Sequence, residues 1–328
     1  MTTNRPILSV AIATFLGLSA TASADDATVG TTRIEHWPDG KKAAFMMMFD
    51  DGCPSHVKNA IPELVKRHLT GTFFIVPDKG EYKAHLAFWE KEVPTLPGIV
   101  LGNHSFSHKG YSSVENAEEE MVQANETIFK LFPGKKPRLL SYATPGGVKN
   151  AISNEQILEI AAKHNLIVRP TFQGHGAAIH YKTGASILDA IDTAMTTGEA
   201  AYVIFHGVGG DWISFPLDQF AALLDGVETR SQSVWVSDPL SIHQYETERQ
   251  SAKVSVTSAT PTQIKLTLSS EADSSLYDQP LTLTTRTPSS WQKCQVTQGS
   301  IKSTAPIVDG HVRYHATPSS APIVLTRI

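Results

Sequence analysis

Several stretches of the sequence carry side chains that could bind a metal ion or move a proton. The first is an apolar run that ends in two carboxylates and a glycine, Phe45-Met46-Met47-Met48-Phe49-Asp50-Asp51-Gly52. A short continuous apolar run predicts a strand buried on both faces. Carboxylates at the end of such a strand are costly to desolvate unless they are paired or bind a metal ion. A solvated Asp-Gly turn is the other interpretation of this stretch.

Histidines supply the second part of the pattern. His104 and His108 stand four residues apart, a spacing that places two imidazoles on one face of a helical turn, where they can share a metal ion. A third histidine, His206, follows the apolar run 202–205. A glycine-rich stretch with free backbone N–H groups, Tyr142-Ala143-Thr144-Pro145-Gly146-Gly147, follows another short strand-like run.

The elements that must position these residues alternate between strand-like and helix-like patterns from Phe45 to Arg249. Roughly seven such units predict a parallel sheet with right-handed crossovers. A series of this regularity favours a closed or nearly closed barrel, with a doubly wound sheet as the alternative. Each candidate residue falls at the carboxyl end of its strand, the face where barrels assemble active sites. Two histidines and one carboxylate leave coordination positions open, as in a catalytic zinc site.

Beyond residue 250 the pattern changes to period-two alternation separated by Ser, Pro and Gly. This pattern predicts a small antiparallel β-sandwich domain over residues 250–328. Its aromatic residues Tyr277 and Trp291 could stack on sugars or belong to the core.

Composition excludes several functional classes. The net charge of −4 disfavours a nucleic-acid partner, and two cysteines cannot form a disulfide scaffold or a cysteine-rich zinc site. Residues 1–24 have the pattern of a signal peptide, with Arg5, an apolar stretch and Ala22-Ser23-Ala24 before the acidic pair. We therefore expect an exported protein, periplasmic or secreted, without a membrane span in the mature chain.

Over about residues 42–240 these motifs resemble the polysaccharide deacetylases with a NodB homology domain, carbohydrate esterase family 4. Met48-Phe49-Asp50-Asp51 stands where that family has Thr-Phe-Asp-Asp, and His104-Ser105-Phe106-Ser107-His108 matches its His-Ser/Thr-x-x-His motif. The family's Arg-x-Pro-Tyr-type motif is retained only at Pro145, with Gly146 in place of the aromatic residue. Its arginine is missing near Ala143, and Arg169 on the next strand is a candidate replacement.

The resemblance implies a distorted (β/α)7 barrel within a catalytic domain over residues 25–249. It implies Asp51, His104 and His108 as ligands of a divalent metal, usually zinc, with Asp50 as the base. A metal lowers the pKa of its bound water towards neutrality, and that water is the implied nucleophile. The late histidine His206 would be the general acid.

We also expect oxyanion and substrate contacts. The backbone N–H of Gly146 or a neighbour would donate to the developing oxyanion. Pro145 in the same loop would contact the substrate, and Asp211 and Trp212 would contact the substrate or a histidine. The expected reaction is hydrolysis of acetyl groups from a polysaccharide or oligosaccharide, N-acetyl before O-acetyl. An O-acetyl esterase and a non-catalytic carbohydrate-binding relative are the alternatives. A metallophosphoesterase and an H-E-x-x-H peptidase fit these motifs less well.

Overall fold

The computed structural model describes residues 28–170, 178–181 and 183–328. Its first domain is a parallel sheet of seven strands flanked by helices. The predicted signal peptide, residues 1–24, lies outside the described residues. No helix in the described ranges is both long and apolar enough to cross a membrane.

Strands and helices alternate through this first domain, as the sequence pattern predicts. Its strands are β2 (Ala43–Asp50), β3 (Gly71–Ile75), β4 (Ile99–Asn103), β5 (Leu140–Tyr142), β6 (Leu166–Val168), β7 (Ala200–Phe205) and β8 (Val234–Val236), preceded in the chain by β1 (Thr32–Ile34). Its helices are α1 (Ile61–Lys66), α2 (Gly80–Ala84), α3 (Val114–Leu131), α4 (Asn154–Lys163), α5 (Gly184–Thr197), α6 (Leu217–Thr229) and α7 (Pro239–Ser251). A π-helical turn, His56–Ala60, leads into α1.

The central strand β2 is buried along its whole length, as predicted for its continuous apolar run. Its alternating side chains serve two different cores. Phe45, Met47 and Phe49 pack with the helices on the outer face of the sheet. Ala44 and Met48 belong to a second apolar cluster on the opposite face.

The strand order is β6-β5-β4-β3-β2-β7, and β8 also pairs with β2. Among the described strands, no ladder joins β6 to β7 or β8, so the distorted barrel is open on that side. The second apolar cluster runs from the sheet through Trp37 to Ile242 and Tyr245 of α7, and on to Leu283 in the second domain. The barrel's inner face is therefore buried by packing from α7 and the second domain.

The second domain is an eight-stranded antiparallel sheet in the order β1-β11-β14-β13-β12-β15-β10-β9. Its strands after α7 are β9 (Lys253–Ala259), β10 (Gln263–Ser269), β11 (Leu281–Arg286), β12 (Lys293–Gln298), β13 (Ile301–Val308), β14 (His311–Ala316) and β15 (Ser319–Arg327). β13 pairs with β12 through its first part and with β14 through its last residues. Leu266 and Leu283 from the two parts of the sheet lie in one apolar cluster, as in a sandwich.

The structure shifts one domain boundary. The sequence places residues 25–249 in the catalytic domain, but Thr32–Ile34 pairs antiparallel with β11 of the second domain. A three-residue strand is too short to form a sheet alone, so it joins the exposed edge of β11. Trp291 is buried and donates its indole N–H to the Pro261 carbonyl at 2.7 Å, which places it in the core.

Candidate metal and acid–base site

The candidate site lies at the carboxyl ends of β2, β4 and β7. Asp51 Oδ1 lies 3.8 Å from Nε2 of His104 and 3.5 Å from Nε2 of His108. The three ligand atoms all lie within 4.8 Å of one another. A tetrahedral ion with bonds of about 2.0–2.2 Å holds its ligand atoms about 3.3–3.6 Å apart, so the spacing suits one divalent ion.

The tautomer of His104 also suits a metal ligand. Its Nδ1–H donates to the Ala143 carbonyl at 2.8 Å, which leaves the lone pair of Nε2 directed away from that bond. Such an outer hydrogen bond orients a ligating imidazole and raises its basicity. Burial lowers the pKa of His104 to about 4, so the imidazole is neutral at pH 7, the form that binds metal.

The two histidines reach Asp51 from a loop, whereas their spacing predicted a helical turn. Ser105 and His108 adopt the left-handed conformation, with φ of 62° and 58°, and this conformation interrupts a right-handed helix. Asn103 shapes the loop by accepting from the Ser105 N–H at 2.7 Å and donating to the carbonyl of Met121 in α3 at 2.8 Å. Side-chain bonds to the backbone compete with helical ones, and here they determine the loop.

Asp51 is itself in a left-handed conformation, with φ of 76°. Aspartate tolerates this region better than most residues, and such outliers concentrate at functional sites. Burial raises the pKa of Asp51, but the charges of His104, Lys79 and His108 outweigh burial and lower the pKa to about 2. Because burial favours the neutral form of His104, the Lys79 ammonium is a main contributor to the lowered pKa of Asp51 at neutral pH.

Asp50 has a different partner. Its Oδ2 accepts from Nη2 of Arg169 at 2.6 Å, and both side chains are buried. Arg169 directly follows β6 and its guanidinium also lies over the ring of Phe74, 5.1 Å from the centroid. The candidate replacement for the missing arginine therefore does contact Asp50. The second carboxylate oxygen, Oδ1 of Asp50, is buried and has no hydrogen-bond partner among the residues that the structure describes.

His206 directly follows β7 and lies on the other side of Asp51, with its Nε2 3.8 Å from Asp51 Oδ2. Its backbone carbonyl accepts from Nε2–H of the buried His56 at 2.6 Å. Burial lowers the pKa of His56 to about 4, so this residue is a neutral structural support for the strand end.

The loop after His206 folds back over the site. The Gly207 N–H donates to the Trp212 carbonyl at 3.0 Å. A Cβ atom at position 207 would lie 1.9 Å from the Gly210 carbonyl oxygen, so the close approach requires glycine. Trp212 then donates its indole N–H to Asp51 Oδ2 at 2.9 Å. Asp211 accepts from the backbone N–H of Ser55 at 2.6 Å and so fastens the loop to the segment after β2.

The remaining sequence-predicted residues lie after β5. Pro145 is buried and Gly146 is exposed, with open space where a side chain would stand. The neighbouring Ala143 reaches the site through its carbonyl. One residue of the site is absent from the sequence predictions: Lys79, whose Nζ lies 3.0 Å from Asp51 Oδ1. Its position after β3, at the carboxyl end of a strand, is the signal that could have found it.

Comparison with known proteins agrees with the motifs. Residues 38–168 match the family model described as polysaccharide deacetylase. None of the curated proteins compared with the sequence matches it.

Several solved structures match part of the chain. A carbohydrate esterase family 4 pseudoenzyme from Bacillus anthracis is 18% identical, with a TM-score of 0.40, and the match covers 60% of this chain. The match spans 63% of that relative's length, just under two thirds. The peptidoglycan deacetylase PdaC from Bacillus subtilis is 16% identical over 61% of this chain and 90% of its own, with a TM-score of 0.42. A family 4 carbohydrate esterase from Streptomyces lividans, in complex with acetate, is 16% identical over 62% and 95%, with a TM-score of 0.44.

Proposed function

We propose that this chain is a metal-dependent hydrolase of the polysaccharide deacetylase family, whose family model matches residues 38–168 of the parallel-sheet domain. It removes acetyl groups from a polysaccharide or oligosaccharide, N-acetyl in preference to O-acetyl. The observation that carries the proposal is the arrangement around Asp51. Its Oδ1 faces Nε2 of His104 and Nε2 of His108, and its Oδ2 faces Nε2 of His206. Asp50, with its arginine partner, is the adjacent residue.

Asp51, His104 and His108 would hold the metal ion. The fit rests on the buried Oδ1 of Asp51, which faces Nε2 of both His104 and His108, and on the neutral imidazole of His104, whose Nδ1–H already bonds the Ala143 carbonyl. Two imidazoles and one carboxylate are a zinc-type donor set. When bound, a divalent ion supplies a Lewis acid that polarises the acetyl carbonyl and acidifies water.

The chain's own acid–base groups would move the protons. Asp50 is held by Arg169 through Oδ2, so its Oδ1 is the atom that takes the proton from the attacking water. Water adds to the acetyl carbonyl carbon, the carbon–nitrogen bond then breaks, and Nε2–H of His206 donates its proton to the departing amine. The backbone N–H of Gly146 is the proposed oxyanion donor, since main chain alone is needed. We further propose export through residues 1–24, to the periplasm or the exterior.

Acetate release by the purified protein tests the reaction. We expect release from N-acetylated chitooligosaccharides to exceed release from O-acetylated xylan, and a chelator to abolish both. Asp50→Asn should lower kcat by about 10²- to 10⁴-fold, the usual contribution of a general base. Asp39→Asn, which alters an exposed carboxylate beside His315, is the control and should leave kcat unchanged. Activity that survives both chelation and Asp50→Asn would contradict the mechanism, and glycan binding without turnover would favour the non-catalytic alternative.

A further inference from the structure

Lys79 reaches the candidate metal site from the loop after β3. Its ammonium lies 3.0 Å from Asp51 Oδ1 and 4.7 Å from the centroid of the Trp212 ring. The carboxylate of Asp51 is only 6% exposed, whereas the lysine side chain is 25% exposed. A nearly buried carboxylate is thus paired with a partly exposed lysine.

The oxygen that Lys79 approaches is the same one that the two histidines face. Nε2 of His104 and Nε2 of His108 both have their nearest carboxylate contact at Asp51 Oδ1. The other oxygen, Oδ2, accepts from the Trp212 indole at 2.9 Å. Asp51 cannot turn Oδ2 towards the histidines without losing that bond. A metal ion and Lys79 would therefore use one and the same atom.

We infer that Lys79 is a tethered counter-ion that competes with the divalent ion for Oδ1 of Asp51 and thereby weakens metal binding. Without a metal ion, the ammonium neutralises a carboxylate that burial would otherwise leave uncompensated. A divalent cation arriving between Asp51 and the histidines repels the ammonium at short range in a poorly solvated cleft. This inference rests on the proposed metal site and not on the deacetylation reaction.

The local backbone allows the lysine to withdraw while the loop remains in place. The Asp78 N–H donates to the Phe106 carbonyl at 2.8 Å, which ties the loop after β3 to the histidine loop. The Lys79 N–H closes a turn onto the Val76 carbonyl at 3.0 Å. The backbone of Lys79 is therefore held, and its long flexible side chain is the part that can move towards solvent.

Zinc titration by calorimetry tests the inference, with the full-length metal-free protein and zinc alone. Lys79→Ala should bind zinc at least about tenfold more tightly than the parent, because one full charge at contact distance is removed. Lys83→Ala is the matched control: it removes the same charge from the adjacent helix, where Lys83 pairs with Asp78. Its zinc affinity should stay within about twofold of the parent.

Thermal unfolding gives a second readout. Metal-free Lys79→Ala should melt below the parent, and saturating zinc should raise its melting temperature by more than it raises that of the parent. Lys79→Leu, which keeps apolar contact with Trp212 and adds no ligand atom, should behave in the same way if the alanine variant folds poorly.

Unchanged zinc binding in both Lys79 variants would overturn the inference, since the lysine would then not compete with zinc. Weaker binding would also overturn it, since the lysine would then support the bound state. Absence of zinc binding by every variant would overturn it as well. Zinc binding is measured without glycan, so a protein that binds zinc but releases no acetate would contradict the proposed reaction alone.

Discussion

The two domains differ in how completely their buried polar side chains are hydrogen-bonded. In the parallel-sheet domain, within the described residues, buried side-chain atoms without a hydrogen-bond partner include Asp50 Oδ1, His56 Nδ1 and Arg169 Nε around the site, and Thr72 Oγ1, Trp89 Nε1 and Ser141 Oγ elsewhere. In residues 253–328, all of them described, no buried side-chain atom lacks one. There the buried threonines are satisfied, as where Thr285 bonds the Tyr314 hydroxyl at 2.9 Å.

This difference separates a site from a scaffold. A buried polar atom without a partner costs about 1–3 kcal/mol, and a folded chain rarely retains several together. Where they cluster beside Asp51, a bound ion, water or substrate would supply the missing partners. The threonine-rich core of the second domain has no such need. The contrast supports a binding role for the end of the first domain where Asp50 and Arg169 lie.

The largest effect should come from adding one more uncompensated charge to the site. Arg169→Met leaves the buried carboxylate of Asp50 without its partner, and we expect the free energy of unfolding to fall by about 3–5 kcal/mol. Acetate release should fall by about 100-fold or more, because the base is no longer held. Urea denaturation measures the first quantity and acetate release the second.

Two further variants show whether charge or packing is responsible. Arg169→Met combined with Asp50→Asn removes both charges and should regain most of the lost stability without regaining activity. Arg230→Met breaks a partly exposed pair with Asp192 and should cost less than about 1 kcal/mol. Equal losses in Arg169→Met and in the double variant would mean that packing, and not the unpaired carboxylate, determines stability here.

A smaller effect should appear in the pH dependence of the free energy of unfolding, which should have opposite signs at His56 near the site and at Glu248 in α7. Burial lowers the pKa of His56 to about 4 from its ordinary 6.5. Between pH 4 and pH 6.5 this residue is therefore protonated in the unfolded chain and neutral in the folded chain. The stability contributed by neutral His56 is therefore complete above pH 6.5 and is lost as the pH falls towards 4. Relative to His56→Gln, the parent should lose about 1–3 kcal/mol over this interval in urea titrations.

Glu248, in the last turn of α7, should show the opposite dependence. Burial raises its pKa to about 7 from 4.5, with the Asp278 carboxylate adding to the rise and the Gln279 N–H opposing it. The folded chain then keeps a proton that the unfolded chain releases, so the parent loses stability as the pH rises from 4.5 to 7. Glu248→Gln should gain about 1–3 kcal/mol relative to the parent across that interval. A difference that is constant with pH would show that Glu248 is ionised in the folded state.

The sequence predicted the features that local pattern controls. The buried β2 strand, the alternation of strands and helices and the antiparallel second domain are confirmed. Placement at strand ends was enough to bring Asp51, His104 and His108 into one group, because the carboxyl ends of parallel strands meet at one edge of a sheet.

What the sequence could not predict depends on distant contacts. The pairing of Thr32–Ile34 with β11 joins residues about 250 positions apart, and no local signal marks it. Arg169 could only be suggested as a partner of Asp50, because the contact depends on where β6 lies in the sheet. Lys79 was missed since a single lysine after a strand has no spacing to distinguish it from a solvated surface residue.

The smallest effect on zinc binding and turnover should come from substitutions in the core of the second domain. Trp291→Phe removes the indole N–H that bonds the Pro261 carbonyl and leaves that carbonyl short of a partner. We expect a loss of about 1–2 kcal/mol in the free energy of unfolding, with zinc affinity and acetate release unchanged. Leu283→Ala, in the same apolar cluster, should cost about 2–5 kcal/mol and also leave turnover by the folded protein unchanged. A fall in glycan affinity in Trp291→Phe, without a matching loss of stability, would make this tryptophan a sugar-stacking surface and would end the distinction between site and scaffold.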